Sequence, residues 1–219
     1  MKRKILFLII ISIFTSGFLF AQQDETATES RVEQIHTLLD YRFRGGFYSF
    51  ERLFNKTVKY PDMARTNCEI GTMLARFTVD CQGEVKNIRI ENPLGYGLEK
   101  VLSKFLKSTQ GQWNECKNDR FTHFAIPIQF TLEGTKTDSI YPAISFVGDN
   151  PGYACPDDSY YLKKAKEALK KGRKKRAQTY LETLIRRNPF DKSYYKLLKE
   201  TVDKKDKAKK KKNKSRKKH

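Results

Sequence analysis

The hydrophobic positions between Gly45 and Leu132 follow two periods, and the alternation of these periods divides the stretch into elements. A helical stripe is followed by two runs of alternating residues, a second helical stripe and a third alternating run. The first two alternating runs are separated by a short polar connection ending in Gly83, which predicts an antiparallel turn. In chain order the five sets are Phe47, Phe50, Leu53 and Phe54; Met73, Ala75, Phe77 and Val79; Val85, Ile88 and Ile90; Leu98, Val101, Leu102, Phe105 and Leu106; Phe124, Ile126, Ile128, Phe130 and Leu132. This order predicts an α+β domain over residues 44–133, with a small three-stranded antiparallel sheet packed with two helices.

Several residues in and between these elements resemble the C-terminal domain of TonB-type energy transducers. The matching positions are Gly45–Gly46, Tyr60–Pro61, Ala64, Gly71, Phe77 to Asp80, Gly83 to Val85, Gly97, Trp113 and Ile126 to Phe130. The family usually has a proline two positions after the tryptophan-like residue, and here that proline is absent while Cys116 lies nearby. The resemblance implies a binding module whose last strand is similar to the place where segments of outer-membrane receptors dock.

The start of the chain is typical of an exported protein. The basic residues Lys2 to Lys4 precede an apolar run from Ile5 to Phe20, and Ala21 follows it. This pattern predicts a signal peptide over residues 1–21, cleaved after Ala21, and a location in the periplasm or cell envelope. The run is shorter than the roughly 20 apolar residues that span a bilayer. An uncleaved anchor, which TonB-type proteins use, is the alternative.

A short amphipathic helix is predicted over residues 22–43, where Ser30 and Glu33 form a capping-box pattern before a helical hydrophobic repeat. Energy transducers of the TonB type have a long proline-rich spacer at this place. About 23 extended residues reach only about 80 Å. We therefore expect that this chain does not couple two membranes as those proteins do.

The four cysteines predict disulfides, because an even number of cysteines in an oxidising compartment favours pairing. Their spacing has no Cys-x-x-Cys motif and no neighbouring histidine, which argues against zinc. Cys81 lies in the predicted turn between the first two strands, and the second helix returns the chain toward that end, near Cys116. We therefore predict a Cys81–Cys116 bond, which leaves Cys68 for Cys155. Four free or buried thiols are the alternative.

Two further regions follow the sheet. Residues 134–157 carry glycines and prolines without a sustained period, yet they are too apolar for a free linker, and we expect an extended arm that lies against the domain and is tied down by Cys155. Residues 158–203 predict a helical hairpin plus a third helix. The hairpin resembles one tetratricopeptide repeat over residues 158–191, and since about three such repeats are needed for independent stability, it is either a plain docked hairpin or a half-site completed by a partner.

The C-terminal residues 204–219 contain eleven Lys or Arg and one Asp, and their charge of +10 is over half of the chain's +19. So dense a run of like charge predicts a disordered Lys-rich tail. The tail is either a solvated segment or an adhesive one that contacts an anionic surface such as lipid, lipopolysaccharide or cell wall. It has no interleaved aromatic residues, which argues against nucleic acid.

No catalytic constellation, cofactor site or metal site is predicted. The three histidines are His36, His123 and His219, and they have no sequence motif around them. Asp80 is better explained as a turn residue than as a general base. We therefore expect a protein that is not an enzyme.

Two classes of function remain. The first is a periplasmic module that pairs with an extended segment of an outer-membrane transporter or another envelope protein by β-strand addition. It rests on the strand from Phe121 to Leu132, because Pro127 lacks an N–H and predicts a sheet edge or bulge. The residues predicted along this peptide-binding edge are Ala125, Pro127, Gln129 and Thr131. The second class is a scaffold of the envelope, and it gains weight if the arm already covers the edge.

Overall fold

The computed structural model describes residues 31–116, 121–137 and 142–202. The predicted signal peptide (1–21), the capping residue Ser30 and the predicted tail (204–219) lie outside these residues. In chain order the elements are α1 (31–42), α2 (Gly46–Thr57), α3 (Asp62–Thr66), β1 (Gly71–Val79), β2 (Val85–Glu91), α4 (Leu98–Ser108), β3 (His123–Leu132), β4 (Ile144–Gly148), α5 (Asp158–Lys170), α6 (Lys174–Arg187) and α7 (192–202).

The sheet has four strands in the order β2-β1-β3-β4. Strand β1 pairs antiparallel with both β2 and β3, as the alternating runs predict. The expected three-stranded sheet is wrong by one strand, because β4 from the predicted arm pairs with β3 in parallel. The sheet is mixed because β4 runs in the same direction as β3, whereas β1 runs against both of its neighbours.

One face of the sheet carries the hydrophobic core. The inward residues of β1 and β3 are buried, and they pack against the buried stripes of α2 and α4. Helix α1 joins the same core through Leu39 and Phe43, which are 0% and 2% exposed. The single tryptophan, Trp113, lies among the rings of Phe43, Phe50, Phe77 and Phe124. The two predicted helices are thus present, and α1 and the short α3 complete the domain.

Helices α5 and α6 form the predicted hairpin, and α7 packs on it through Tyr194, which is 2% exposed. The end of α6 contacts the start of β1. A Cβ added to Gly71 would lie 2.6 Å from the carbonyl oxygen of Arg186, and the Asn92 side-chain amide donates to the same oxygen at 2.8 Å. Gly71 therefore allows the close approach of the two regions. A relation of this hairpin to tetratricopeptide repeats stays a prediction.

None of the helices in the described residues combines the length and the apolar character that a membrane crossing requires.

Candidate functional site

The edge at which the sequence predicts peptide binding lies along β3, and in the structure another strand already occupies part of it. Strand β4 pairs in parallel with β3 from Ile128 to Leu132. Strand β3 is therefore an inner strand over this half, and the expectation of a free edge is wrong there. Peptide binding itself stays a prediction.

Pro127 lies in this inner strand without breaking the hydrogen-bond ladder. It stands one residue before the first β3–β4 pair, and its carbonyl oxygen accepts from the Ala143 N–H at 3.0 Å. Since proline can accept but not donate, it fits a position where the neighbouring segment offers a donor. The proline thus marks where the added strand begins.

The four residues predicted to accept a peptide share one face of β3 but differ in accessibility. Ala125 is exposed, whereas Pro127 and Thr131 are half-buried and Gln129 is buried. The Gln129 amide donates to the Thr137 hydroxyl at 3.0 Å, and its carbonyl oxygen accepts from the Ser145 hydroxyl at 3.3 Å. Both partners belong to the arm, so the hydrogen-bonding groups of the Gln129 side chain are already used by the arm.

Strand β4 is anchored by side chains that face the core. The Phe146 ring has its centroid 5.9 Å from that of Phe54 and 5.8 Å from that of Phe130. Ile144 is 1% exposed. In contrast, Val147 on the outer face is 62% exposed. The alternation explains why a strand of only five residues is stable here: its inner residues complete the aromatic core.

Tyr60 closes the end of this site. Its ring packs against Gly148, where an added Cβ would collide with the ring. Its hydroxyl donates to the Glu69 carbonyl oxygen at 2.5 Å. Burial, together with the Glu69 charge, raises the pKa of Tyr60 far above its usual range, so the phenol stays protonated. Tyr60 is therefore a packing and hydrogen-bonding residue that fixes the end of β4.

A disulfide ties the arm beyond β4 to the domain. Cys68 and Cys155 are bonded, with their Cα atoms 5.6 Å apart, and this pair is the predicted one. The Tyr153 hydroxyl also donates to the Thr66 carbonyl oxygen. The arm is thus held at two places. Pairing with β3 and the hydrogen bonds of Gln129 hold it near β4, and the disulfide holds it at Cys155.

The second predicted disulfide is also confirmed and lies at the opposite end of the sheet. Cys81 and Cys116 are bonded with a Cα–Cα distance of 4.5 Å, and the Cys116 N–H donates to the Cys81 carbonyl oxygen at 3.1 Å. The bond connects the β1–β2 turn to the segment after Trp113. It therefore holds the segment after Trp113 against the β1–β2 turn.

Arg42 binds backbone at the same end of the sheet, and the sequence did not predict this role. Its guanidinium is 0% exposed and donates to the carbonyl oxygens of Asp80 at 2.8 Å and Phe121 at 3.3 Å. Burial lowers the pKa of Arg42 from its usual value. The available signal was its position three residues after Leu39, on the buried face of α1.

Two of the histidines, His36 and His123, lie among the described residues. The His36 ring stacks on Phe47 at a centroid distance of 3.7 Å, and His123 is exposed. Across the part of the chain that the structure describes, no group of three or more His, Cys, Asp or Glu could hold a metal ion.

The geometry defines a small α+β domain whose sheet takes up an added strand at β3. Residues 56–132, from the end of α2 to the end of β3, match the family described as Gram-negative bacterial TonB protein C-terminal. The resemblance read from the motifs is confirmed for this segment, which is about a third of the chain. Strand β4 and the helices α5 to α7 lie outside it. Comparisons with curated proteins and with solved structures gave no match.

Proposed function

We propose that this chain is a non-catalytic, TonB-like binding module of the Gram-negative periplasm. It binds an extended segment of an outer-membrane transporter or another envelope protein by β-strand addition, and its role is linked to transport across the outer membrane. The family match supports the envelope setting. The partner is recognised through its backbone, which gives weak to moderate affinity and tolerance of side chains.

One observation carries this proposal. Strand β3 accepts an added strand in parallel over Ile128 to Leu132, and the chain's own β4 is that strand. The backbone of β3 over this half thus has the pairing geometry that strand addition needs. A partner segment takes the place of β4 and lies along Ala125, Pro127, Gln129 and Thr131.

The disulfide permits this exchange. Six residues separate Gly148 from Cys155, and they reach about 20 Å when extended. Strand β4 can therefore leave β3 while the Cys68–Cys155 bond stays intact. Ile144 opposes its departure, because a fully buried side chain of this kind stabilises by about 1.5–3 kcal/mol, and the half-buried Phe146 adds to this. The competition with β4 lowers the apparent affinity for any partner.

Weakening β4 is the test of this competition. Phe146→Ala removes the ring that packs on Phe54 and Phe130, whereas Val147→Ala, its neighbour on the same strand, removes an exposed side chain. Peptides that correspond to extended segments of outer-membrane transporters are titrated into both variants and the natural chain, while amide chemical shifts are recorded. We expect Phe146→Ala to bind at least about tenfold more tightly, because more of the protein has a free edge. Val147→Ala should bind like the natural chain.

The result also separates the second candidate function, a scaffold of the envelope. That function is favoured by the burial of Ile144 and by the Cys68–Cys155 bond, which make β4 a regular part of the sheet. Shifts confined to the helices, or none in any variant, would rule out strand addition at β3 and leave the scaffold. In either case residues 204–219 are proposed to contact an anionic surface, and their deletion should weaken that binding and remove the share of its salt dependence that these residues contribute.

A further inference from the structure

The turn between α5 and α6 carries a dense cluster of cations. We name it the cationic tip, and it consists of Lys170, Lys171, Arg173, Lys174, Lys175 and Arg176. Lys174 is half-buried and the other five are exposed. Only one carboxylate, Glu167, occurs between Ser159 and Arg176. Six like charges within seven residues repel one another, so these side chains do not stabilise the turn.

The cations of the tip are not paired with carboxylates of the described residues. Among the residues that the structure describes, no salt bridge involves any of the six. The Arg176 Nε donates to the Tyr180 hydroxyl at 3.3 Å, which leaves its charge unneutralised. This differs from the other end of α6, where Arg187 pairs with Asp158 at 3.0 Å and Arg186 approaches Glu69 at 3.8 Å. The tip therefore presents its charge to solvent.

The tip lies at the end of α6 opposite to its contact with Gly71. The end of α6 near Arg187 packs on Gly71 at the start of β1. Helix α6 has 14 residues, so its other end lies about 21 Å along the helix axis. The distance exceeds the Debye length of about 8 Å at physiological salt. Charges bound at the tip are therefore largely screened from the contact between α6 and β1.

The composition of the tip selects the chemistry of its partner. It has four lysines and two arginines and no aromatic side chain, so it lacks the stacking surface that single-stranded nucleic acid uses. Lysine ammonium groups on flexible stems act as point charges, which suits many mobile phosphates better than one fixed phosphate. The family's Gram-negative setting offers such phosphates on membrane surfaces.

We propose that the cationic tip is a docking surface for the phosphate groups of an anionic membrane, separate from the C-terminal residues 204–219. The phosphates come from glycerophospholipid headgroups or from lipid A. Docking at the tip orients the helical region toward the bilayer and holds the sheet with β3 and β4 away from it.

The test compares two full-length variants that lose the same charge at different places. The tip variant carries Lys170→Gln, Lys171→Gln and Lys175→Gln. The control carries Lys100→Gln, Lys104→Gln and Lys107→Gln on the exposed face of α4. Binding is measured by vesicle co-sedimentation with phosphatidylcholine alone, with added phosphatidylglycerol and with added lipid A. Thermal melts confirm that both variants fold.

We expect the natural chain to bind anionic vesicles and the tip variant to bind on the order of a hundredfold more weakly, since each cation near such a surface contributes about fivefold. The control should lose less than about threefold, because its charges do not face the membrane. Loss on phosphatidylglycerol or on lipid A vesicles identifies the phosphate source. Equal loss in both variants, no loss in the tip variant, or no binding by the natural chain would overturn the proposal.

A second measurement locates the contact without mutation. Adding anionic nanodiscs to the natural chain should broaden the amide signals of residues 170–176 before those of α4. Broadening of α4 without residues 170–176 would place the membrane contact elsewhere and contradict the proposal.

Discussion

The sheet domain and the helical region are held together by different kinds of core. In the sheet domain, aromatic rings from α2, α4, β1, β3 and β4 contact one another around Trp113 and Phe54. In the helical region the described residues show a smaller buried cluster of Ala165, Leu181, Leu184 and Tyr194, with partly buried side chains packed on it. The buried Arg187–Asp158 pair lies beside it, with side chains 3% and 0% exposed.

The two kinds of core suit the two regions to different kinds of contact. Large interlocking rings fix the spacing of the strands, so the sheet domain can offer a defined backbone edge at β3. The helical region buries less and carries its charge outside, so it is suited to contacts that depend on electrostatic attraction and not on exact shape.

The two disulfides should differ in what their loss does to β4. Replacing Cys68 and Cys155 by serine opens a loop of 87 residues and should lower the free energy of unfolding by about 5 kcal/mol. Replacing Cys81 and Cys116 opens a loop of 35 residues and should cost about 4 kcal/mol. Urea unfolding gives both values. Hydrogen exchange should be faster in β4 after the first change alone, and unaltered exchange there would show that the bond does not hold the arm.

The aromatic core should be intolerant of truncation. Phe50 is 0% exposed and contacts the rings of Phe43, Phe105 and Trp113. Phe50→Ala should lower the free energy of unfolding by about 4 kcal/mol, followed by Trp113 fluorescence. Tyr48→Ala is the matched control, because Tyr48 is 78% exposed and its loss should change stability by less than about 0.5 kcal/mol. Similar losses in both variants would mean that the rings are not the core of the domain.

The helical region should depend on its buried ion pair. Asp158→Ala leaves the Arg187 guanidinium buried without this carboxylate and should destabilise the helices by about 3 kcal/mol. Adding Arg187→Leu removes the buried guanidinium charge and should recover a large part of the lost stability. Circular dichroism at the helical signal measures both. A double variant that is less stable than Asp158→Ala would contradict this account of the pair.

The β1–β2 turn should respond to acid. Hydrogen bonds from Lys86 and from the Glu84 and Gln82 N–H groups lower the pKa of Asp80. A carboxyl whose folded pKa lies below its unfolded pKa stabilises the fold above the unfolded value, and the contribution is lost as pH falls through the folded pKa. The natural chain should therefore lose a small part of its stability below about pH 4. Asp80→Asn should melt slightly lower at neutral pH and show less of this acid-dependent decrease.

Local periodicity predicts much of this fold, and pairing between distant segments limits the rest. The alternation of β1 and β3 and the stripes of α2 and α4 depend on which face is buried, which the residues themselves show. The disulfides follow from strand and helix directions. Strand β4 is missed, because five residues between Gly and Pro signals give no sustained period and parallel neighbours are usually joined by a helix.

The polar contacts of the interior were also outside the reach of the sequence. A cation such as Arg42 is normally expected at the surface, and its two carbonyl acceptors lie 38 and 79 residues away. Gln129 was assigned to the β3 edge, but its partners Thr137 and Ser145 lie in the arm, whose course the sequence does not fix. Such contacts depend on tertiary placement and have no local pattern.

Hydrogen exchange with a bound peptide from an outer-membrane transporter shows whether a partner strand replaces β4 at β3. Strand addition at β3 requires that β4 leave while β3 keeps a hydrogen-bonded neighbour. With saturating peptide, we expect the amides of residues 144–148 to exchange faster, while those of residues 128–132 stay protected. If residues 144–148 remain as protected as in the free chain, the segment does not take the place of β4, and the strand-addition account is contradicted.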